Sequence, residues 1–174
     1  MASIIGVETL QHTNGTTAAT IDSSGILLPK TPAFQVEATD TDQSITVGSP
    51  RKIEWETVEL DTVSGWDATN HRYTASVAGW YSVGGIIRAN MSSRLQYYTF
   101  SIRKNGTSVV STQLNGGTFG DFIENGQYAL PNALVKLNGS TDYIEVFAGA
   151  DETFTAHDTA GEPSVFFGFL VHAT

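Results

Sequence analysis

The sequence predicts an all-β protein, an antiparallel sandwich or jelly roll preceded by a short β-rich leader. Three observations carry that prediction. No long segment has a helical apolar period, short apolar runs alternate with polar residues, and Asn-Gly and Pro punctuation separates those runs at short intervals. Composition agrees with it. Hydrophobic residues make up 40% of the 174, Gly is abundant and charged residues are only 16%, against about 25% in an average globular protein. A chain of this size buries roughly 70% of its unfolded surface, so a full core forms without staples.

The first clear element is "KIEWETVEL", where Ile53 and Trp55 alternate with Lys52, Glu54 and Glu56, the period-2 pattern of a half-buried strand. "YTFSIRKNGTSVVSTQL" reads as a hairpin. Tyr98, Phe100 and Ile102 lead into Asn105-Gly106, and Val109 and Val110 begin the return strand. Asn-Gly supplies the two positive φ angles of a type I′ turn. Further strands are predicted at "GWYSVGGIIRA", "NALVKL", "DYIEVFAGA" and "SVFFGFLVH", with Asn138-Gly139 as a second tight turn. Pro131 and Pro163 are placed at strand starts, where a missing N–H is tolerated. Residues 32–174 form this domain.

Residues 1–31 read as an extended anchoring arm. Asn14-Gly15 and Ser24-Gly25 are turns, "TAATI" and "GILLP" are short strands, and Pro29 and Pro32 end the region in extended chain. Its apolar residues, Ile4, Ile5, Val7, Leu10, Ile21, Ile26, Leu27 and Leu28, are too few for a core. Alone the arm is expected to be weakly structured, and its strands are expected to add to the sheet edge of a partner.

Charge and residue types exclude several functions. A net charge of −9 with no basic run leaves no electrostatic grip on nucleic acid or anionic lipid. The absence of Cys removes disulfides, thiolate metal sites and a Cys nucleophile. "MASIIGVETLQ" lacks a basic region and a long apolar core, so production in a cytosol is expected, with no membrane partner. His12, His71, His157 and His172 have no metal-ligand spacing, and no nucleophile elbow or phosphate loop occurs. The sequons at Asn14, Asn90, Asn105 and Asn138 are read as turns and surface positions, three of them being Asn-Gly. Two acidic clusters, Glu37/Asp40/Asp42 and Asp151/Glu152/Asp158, raise calcium and glycosidase chemistry, but neither has the Gly-spaced pattern of a calcium loop. No enzyme activity and no cofactor are expected. Trp55 and Trp80 lie in strand-like runs that suit burial in a core or interface, whereas Trp66, in "SGWDATNHR", is placed on a loop as a stacking platform.

Residues 32–174 resemble the C1q/tumour-necrosis-factor-like family. The likeness runs through "AGWYSVGG" (Ala78 to Gly85), "FSIRKNGTSV", "GQYALPNALVKLNGSTDYIEVFA" and "SVFFGFLVH". It implies two packed sheets and a threefold trimer, with Tyr81, Tyr143, Phe147, Phe167 and Phe169 in the core or along the trimer interface. "LQHTNGTTAATIDSSGILLPKTPAF" in turn resembles a segment of tailed-bacteriophage structural proteins, especially of marine and cyanobacterial phages, where it precedes C1q-like domains. That resemblance implies a virion component, assembled in the host cytoplasm and displayed on the capsid exterior. The expectation is a homotrimeric cement or decoration protein whose arm binds the major capsid protein or another virion protein. The arm's reach favours this role, since about 30 residues at ~3.3 Å each span ~100 Å. The alternative is the receptor-binding tip of a head or tail fibre, contacting host glycan or protein through Trp66, Arg72 and the loops near Phe119 and Phe154.

Overall fold

The structure is a computed structural model and describes residues 7–15, 17–38, 42–90, 97–115, 125–156 and 163–174. Ile4, Ile5, Asp40, Phe119, His157 and Asp158 lie outside the described residues. The chain divides into two compact units, Met1–Thr31 and Pro32–Thr174.

The first unit is an antiparallel meander of β1 (Thr9–Gln11), β2 (Thr17–Ile21) and β3 (Leu27–Pro29). Its turns are local and well made. Gly15 and Gly25 take φ of 85° and 80°, a region glycine enters without steric cost. The Asp22 carboxylate accepts the N–H groups of Ser24 and Ile26, each at 2.9 Å. The leader's strands therefore pair first with one another, whereas the sequence had suggested strands held in reserve for a partner's edge. Short loops make that pairing inexpensive in chain entropy.

The second unit is a sandwich of two antiparallel sheets, and all its described regular elements are strands. In chain order they are β4 (Ala33–Ala38), β5 (Gln43–Ile45), β6 (Arg51–Lys52), β7 (Thr57–Asp61), β8 (Trp66–Asp67), β9 (Arg72–Thr74) and β10 (Ala78–Asn90). There follow β11 (Tyr97–Lys104), β12 (Thr107–Asn115), β13 (Asn125–Asn138), β14 (Tyr143–Ala150), β15 (Phe154–Ala156) and β16 (Ser164–Ala173). One sheet has seven strands, with β13 beside β10 and then β16, β4 and β7; β15 and β5 extend it from the far end of β10. The other has six, in the order β12-β11-β14-β9-β8, with β6 also paired to β14. This is the antiparallel jelly roll that the sequence predicts.

Alternation explains the core. Tyr81, Val83 and Ile87 of β10, Phe34 and Val36 of β4 and Phe166 of β16 meet Phe100, Ile102, Ile144, Val146 and Tyr73 from the opposite sheet. Phe34 stacks on Tyr73 with ring centroids 4.2 Å apart, and Phe166 sits edge-on to Phe34 at 5.1 Å. Aromatic burial of this kind gives most of the sandwich its cohesion. Burial also pushes the Tyr73 phenol well above its ordinary range, with the neighbouring Tyr81 and Asp61 adding to the shift.

Two local expectations need correction. "KIEWETVEL" is two strands: β6 belongs to the six-stranded sheet and β7 to the seven-stranded one. Ile53 and Trp55, both buried, lie in the crossing between them, so their alternation reports burial without a continuous ladder. Pro131 lies inside β13, not at its start. The pairing there jumps from Val83↔Ala133 to Gly85↔Leu130, so Pro131 and Asn132 together oppose Gly84. A bulge of this kind accommodates a residue with no N–H to donate. Pro163 immediately precedes β16 as expected.

Candidate assembly surfaces

The outer face of the seven-stranded sheet follows from its register. Residues opposite each other in an antiparallel pair share a face. Phe169 therefore lies beside Ala33 on one side and Ser82 on the other, and Ser82 beside Leu134. Phe167 lies between Gln35 and Gly84, and Gln35 faces Leu60. Ile86 sits between Val165 and Ala129, and Trp80 between His172 and Lys136. Leu134 is 61% exposed, Phe169 45% and Trp80 40%. Two apolar faces on one sheet normally mean two packing partners. The core satisfies one of them, and the other is open over β16, β10 and β13.

Its centre is shaped by small residues. A Cβ added at Gly84 would fall on the Asn132 side chain, and one added at Gly79 would meet the His172 carbonyl. Glycine at these places lets neighbouring groups lie close against the sheet.

The three-stranded unit also has an apolar face. Leu10 pairs with Ala19, Ala19 with Pro29 and Ile21 with Leu27, which sets all five on one side. Leu10 is 46% and Leu27 52% exposed. Leu28 pairs with Thr20 on the other side, while Val7 and Ile26 lie outside the strands and are exposed. Of the predicted arm residues, then, Leu10, Ile21 and Leu27 share one face of the three-stranded sheet.

The outer face of the six-stranded sheet is different in chemistry. Along β14, Tyr143 carries the Arg72 guanidinium 4.3 Å from its ring centre, and Phe147 carries that of Arg103 at 3.8 Å. Between them Glu145 is buried and bonded to Lys52 at 2.5 Å. Arg72 is also 3.5 Å from Asp67. The Asn70 amide and backbone N–H hold the Asp67 carboxyl below its usual range, with Arg72 contributing. The five residues predicted for core or trimer interface are thus divided: Tyr81 is in the core, Phe167 and Phe169 are on the open apolar face, and Tyr143 and Phe147 are on the opposite surface under cations.

The remaining candidates do not converge. Trp66 is half-buried in β8 and packs on the core, its ring stacked 5.9 Å from Phe34, so it lies on a strand and not on the loop expected for it. Phe154 itself is buried in β15, while Glu152 and Thr153 in the loop just before it are exposed. Trp55 is buried as expected, with Trp80 on the open face. His12 lies in the first turn, His71 has its Nδ1 3.1 Å from the Trp55 N–H, and His172 is opposite Trp80. A cleft of about 600 Å³ is lined by Asp42, Gln43, Arg51, Glu54, Trp55 and His71 among others. No group of three potential metal ligands occurs among the described residues. Sequence reading missed Leu60, Ile86 and Leu134 as surface residues. Their signal was present in "KIEWETVEL" for Leu60, "GWYSVGGIIRA" for Ile86 and "NALVKL" for Leu134, where both phases of the alternation carry apolar residues.

No family model matches the chain, and no curated protein sequence matches it. Solved structures do. The globular domain of zebrafish complement 1qA protein is 14% identical, covering 82% of this chain and 99% of that one, with a TM-score of 0.52. The Eiger TNF of S. frugiperda is 11% identical, covering 83% of this chain and 94% of that one, with a TM-score of 0.63. The chain has the jelly-roll fold of C1q and TNF domains.

Proposed function

We propose that this chain is a non-enzymatic virion structural protein, a homotrimeric capsid cement or decoration protein whose first unit binds the shell. The observation that carries the reading is the open apolar face spanning β16, β10 and β13, centred on Phe169, Leu134 and Trp80. Exposed apolar patches of that kind mark association surfaces, and homo-oligomers close them by cyclic symmetry. The threefold order comes from the C1q/TNF likeness. The attachment role rests on the apolar side of the three-stranded sheet and on the phage-like leader sequence. Three such units on one trimer bind with avidity, because each later contact forms at the effective concentration set by the first. The partner is the major capsid protein or another virion protein, and the place is the capsid exterior.

A receptor-binding fibre tip is the second reading, favoured by the cation-covered aromatic residues on the other sheet. Co-sedimentation with empty shells of the encoding phage separates the two. Full-length protein is expected to pellet with shells, and a Leu10→Asp/Leu27→Asp variant is expected to remain trimeric in the supernatant. Failure of the full-length trimer to bind shells would overturn the cement reading.

A further inference from the structure

We propose that the outer face of the six-stranded sheet is a binding surface for carboxylate- or sulfate-bearing saccharide, centred on Arg103. Arg103 lies directly across from Glu145 in the β11–β14 ladder. That carboxylate is taken by Lys52, so Arg103 turns to Phe147 and has no carboxylate within ion-pair distance among the described residues. Its Nε is shut off from water without a hydrogen-bond acceptor, whereas the Nε of Arg72, also buried and without a hydrogen bond, has the Asp67 carboxylate 3.5 Å away. Stacking on a ring fixes the guanidinium plane and leaves its remaining N–H groups to point along that plane, the arrangement that grips an oxyanion in bidentate fashion.

The surroundings select the ligand class. Tyr143 and Phe147 are already covered by guanidinium groups, so a bare ring stack is not on offer. The positions on the same face beside Phe147 and Arg103 are hydroxyl-bearing: Ser108 opposite Arg103 and Ser111 beyond it are exposed, Thr99 is half-buried, and Ser101, opposite Phe147, is buried. The Thr99, Ser108 and Ser111 hydroxyls donate to backbone carbonyls, which leaves their lone pairs to accept from a sugar hydroxyl. A surface of guanidinium and hydroxyl groups suits an acidic sugar better than an apolar peptide. Lys52, Arg72 and Arg103 against Glu145 and Asp67 give this face a positive excess in a chain of net charge −9, and charges farther away than about 8 Å are largely screened at physiological salt.

The test is calorimetric titration of the full-length protein at physiological ionic strength with four probes. These are an oligogalacturonate, a sulfated dextran oligosaccharide, unsubstituted dextran of equal length and a single-stranded DNA oligonucleotide. Binding of at least one acidic saccharide and not of dextran is expected, and the two acidic probes tell carboxylate from sulfate. Arg103→Gln is expected to weaken binding about tenfold, the effect of one charge-assisted hydrogen bond. Arg103→Lys, which keeps the charge and loses the planar fork, is expected to weaken it as much. Arg51→Gln, a change to a cation of the neighbouring cleft, is expected to leave it unchanged. No binding of either acidic saccharide overturns the assignment, as does equal binding of DNA, full affinity in Arg103→Lys, or an equal loss in Arg51→Gln. An unchanged solution mass of each variant keeps this outcome separate from that of the trimer.

Discussion

Asp142 shows how one carboxylate ties two turns together. Its oxygens accept the Lys104 ammonium at 2.7 Å, the Asn105 side-chain amide at 2.8 Å and the Asn138 backbone N–H at 2.9 Å. Both Asn-Gly turns of the sandwich thereby converge on a single side chain. Lys104 and then Asn105 hold its carboxyl below the usual carboxylate range. Since the folded pKa is the lower one, the stabilisation is present above the unfolded value of about 3.9 and disappears as pH falls through the folded value. Asp142→Asn is expected to cost about 1–3 kcal/mol at neutral pH. Urea unfolding of the two proteins should give curves that differ most above about pH 4 and draw together in stronger acid. A constant difference across that range would contradict this account of Asp142.

At the scale of elements, the β11–β12 hairpin was fully legible. Asn105 and Gly106 take φ of 51° and 80°, the pair a type I′ turn requires, and Tyr98, Phe100 and Ile102 all face the core. Gly106→Ala is expected to cost about 1 kcal/mol, the steric penalty of a left-handed Ala, because a Cβ there meets nothing else. Asn105→Ala is expected to cost more, since Asn105 also donates to Asp142 and accepts the Tyr143 N–H at 3.0 Å. Urea midpoints rank the two, and the reverse order would show that the turn's backbone outweighs its side-chain bonds. Other elements were legible only in part. In "KIEWETVEL" the alternation marked the buried residues but could not reveal that the chain changes sheets between them, because a crossing segment buries Ile53 and Trp55 as a strand would. In β13 the proline was visible and the bulge was not, since a bulge depends on the partner strand. The leader's strands and turns were readable one by one. Their mutual pairing follows from the way Asp22 and the two glycines close the turns.

For the whole molecule, the sandwich was readable because one phase of each alternating strand must fill the space between two sheets. The open face was harder to read. In "SVFFGFLVH" both phases are aromatic or aliphatic, and sequence alone does not say which phase is covered by the chain's own second sheet. Register supplies that distinction, placing Phe166 inside and Phe167 and Phe169 outside. The arginine and lysine side chains over Phe147 were similarly hidden, since Arg103 and Lys52 come from two separate segments, β11 and β6, that meet only across β14. Association through the open apolar face is the premise on which the cement reading depends. Light scattering of full-length protein beside its Leu134→Asp variant tests it most directly. The expected result is a particle of three 18.7 kDa chains for the unaltered protein and a folded single chain for the variant. A single chain in both samples, or an unaltered trimer in both, would contradict it.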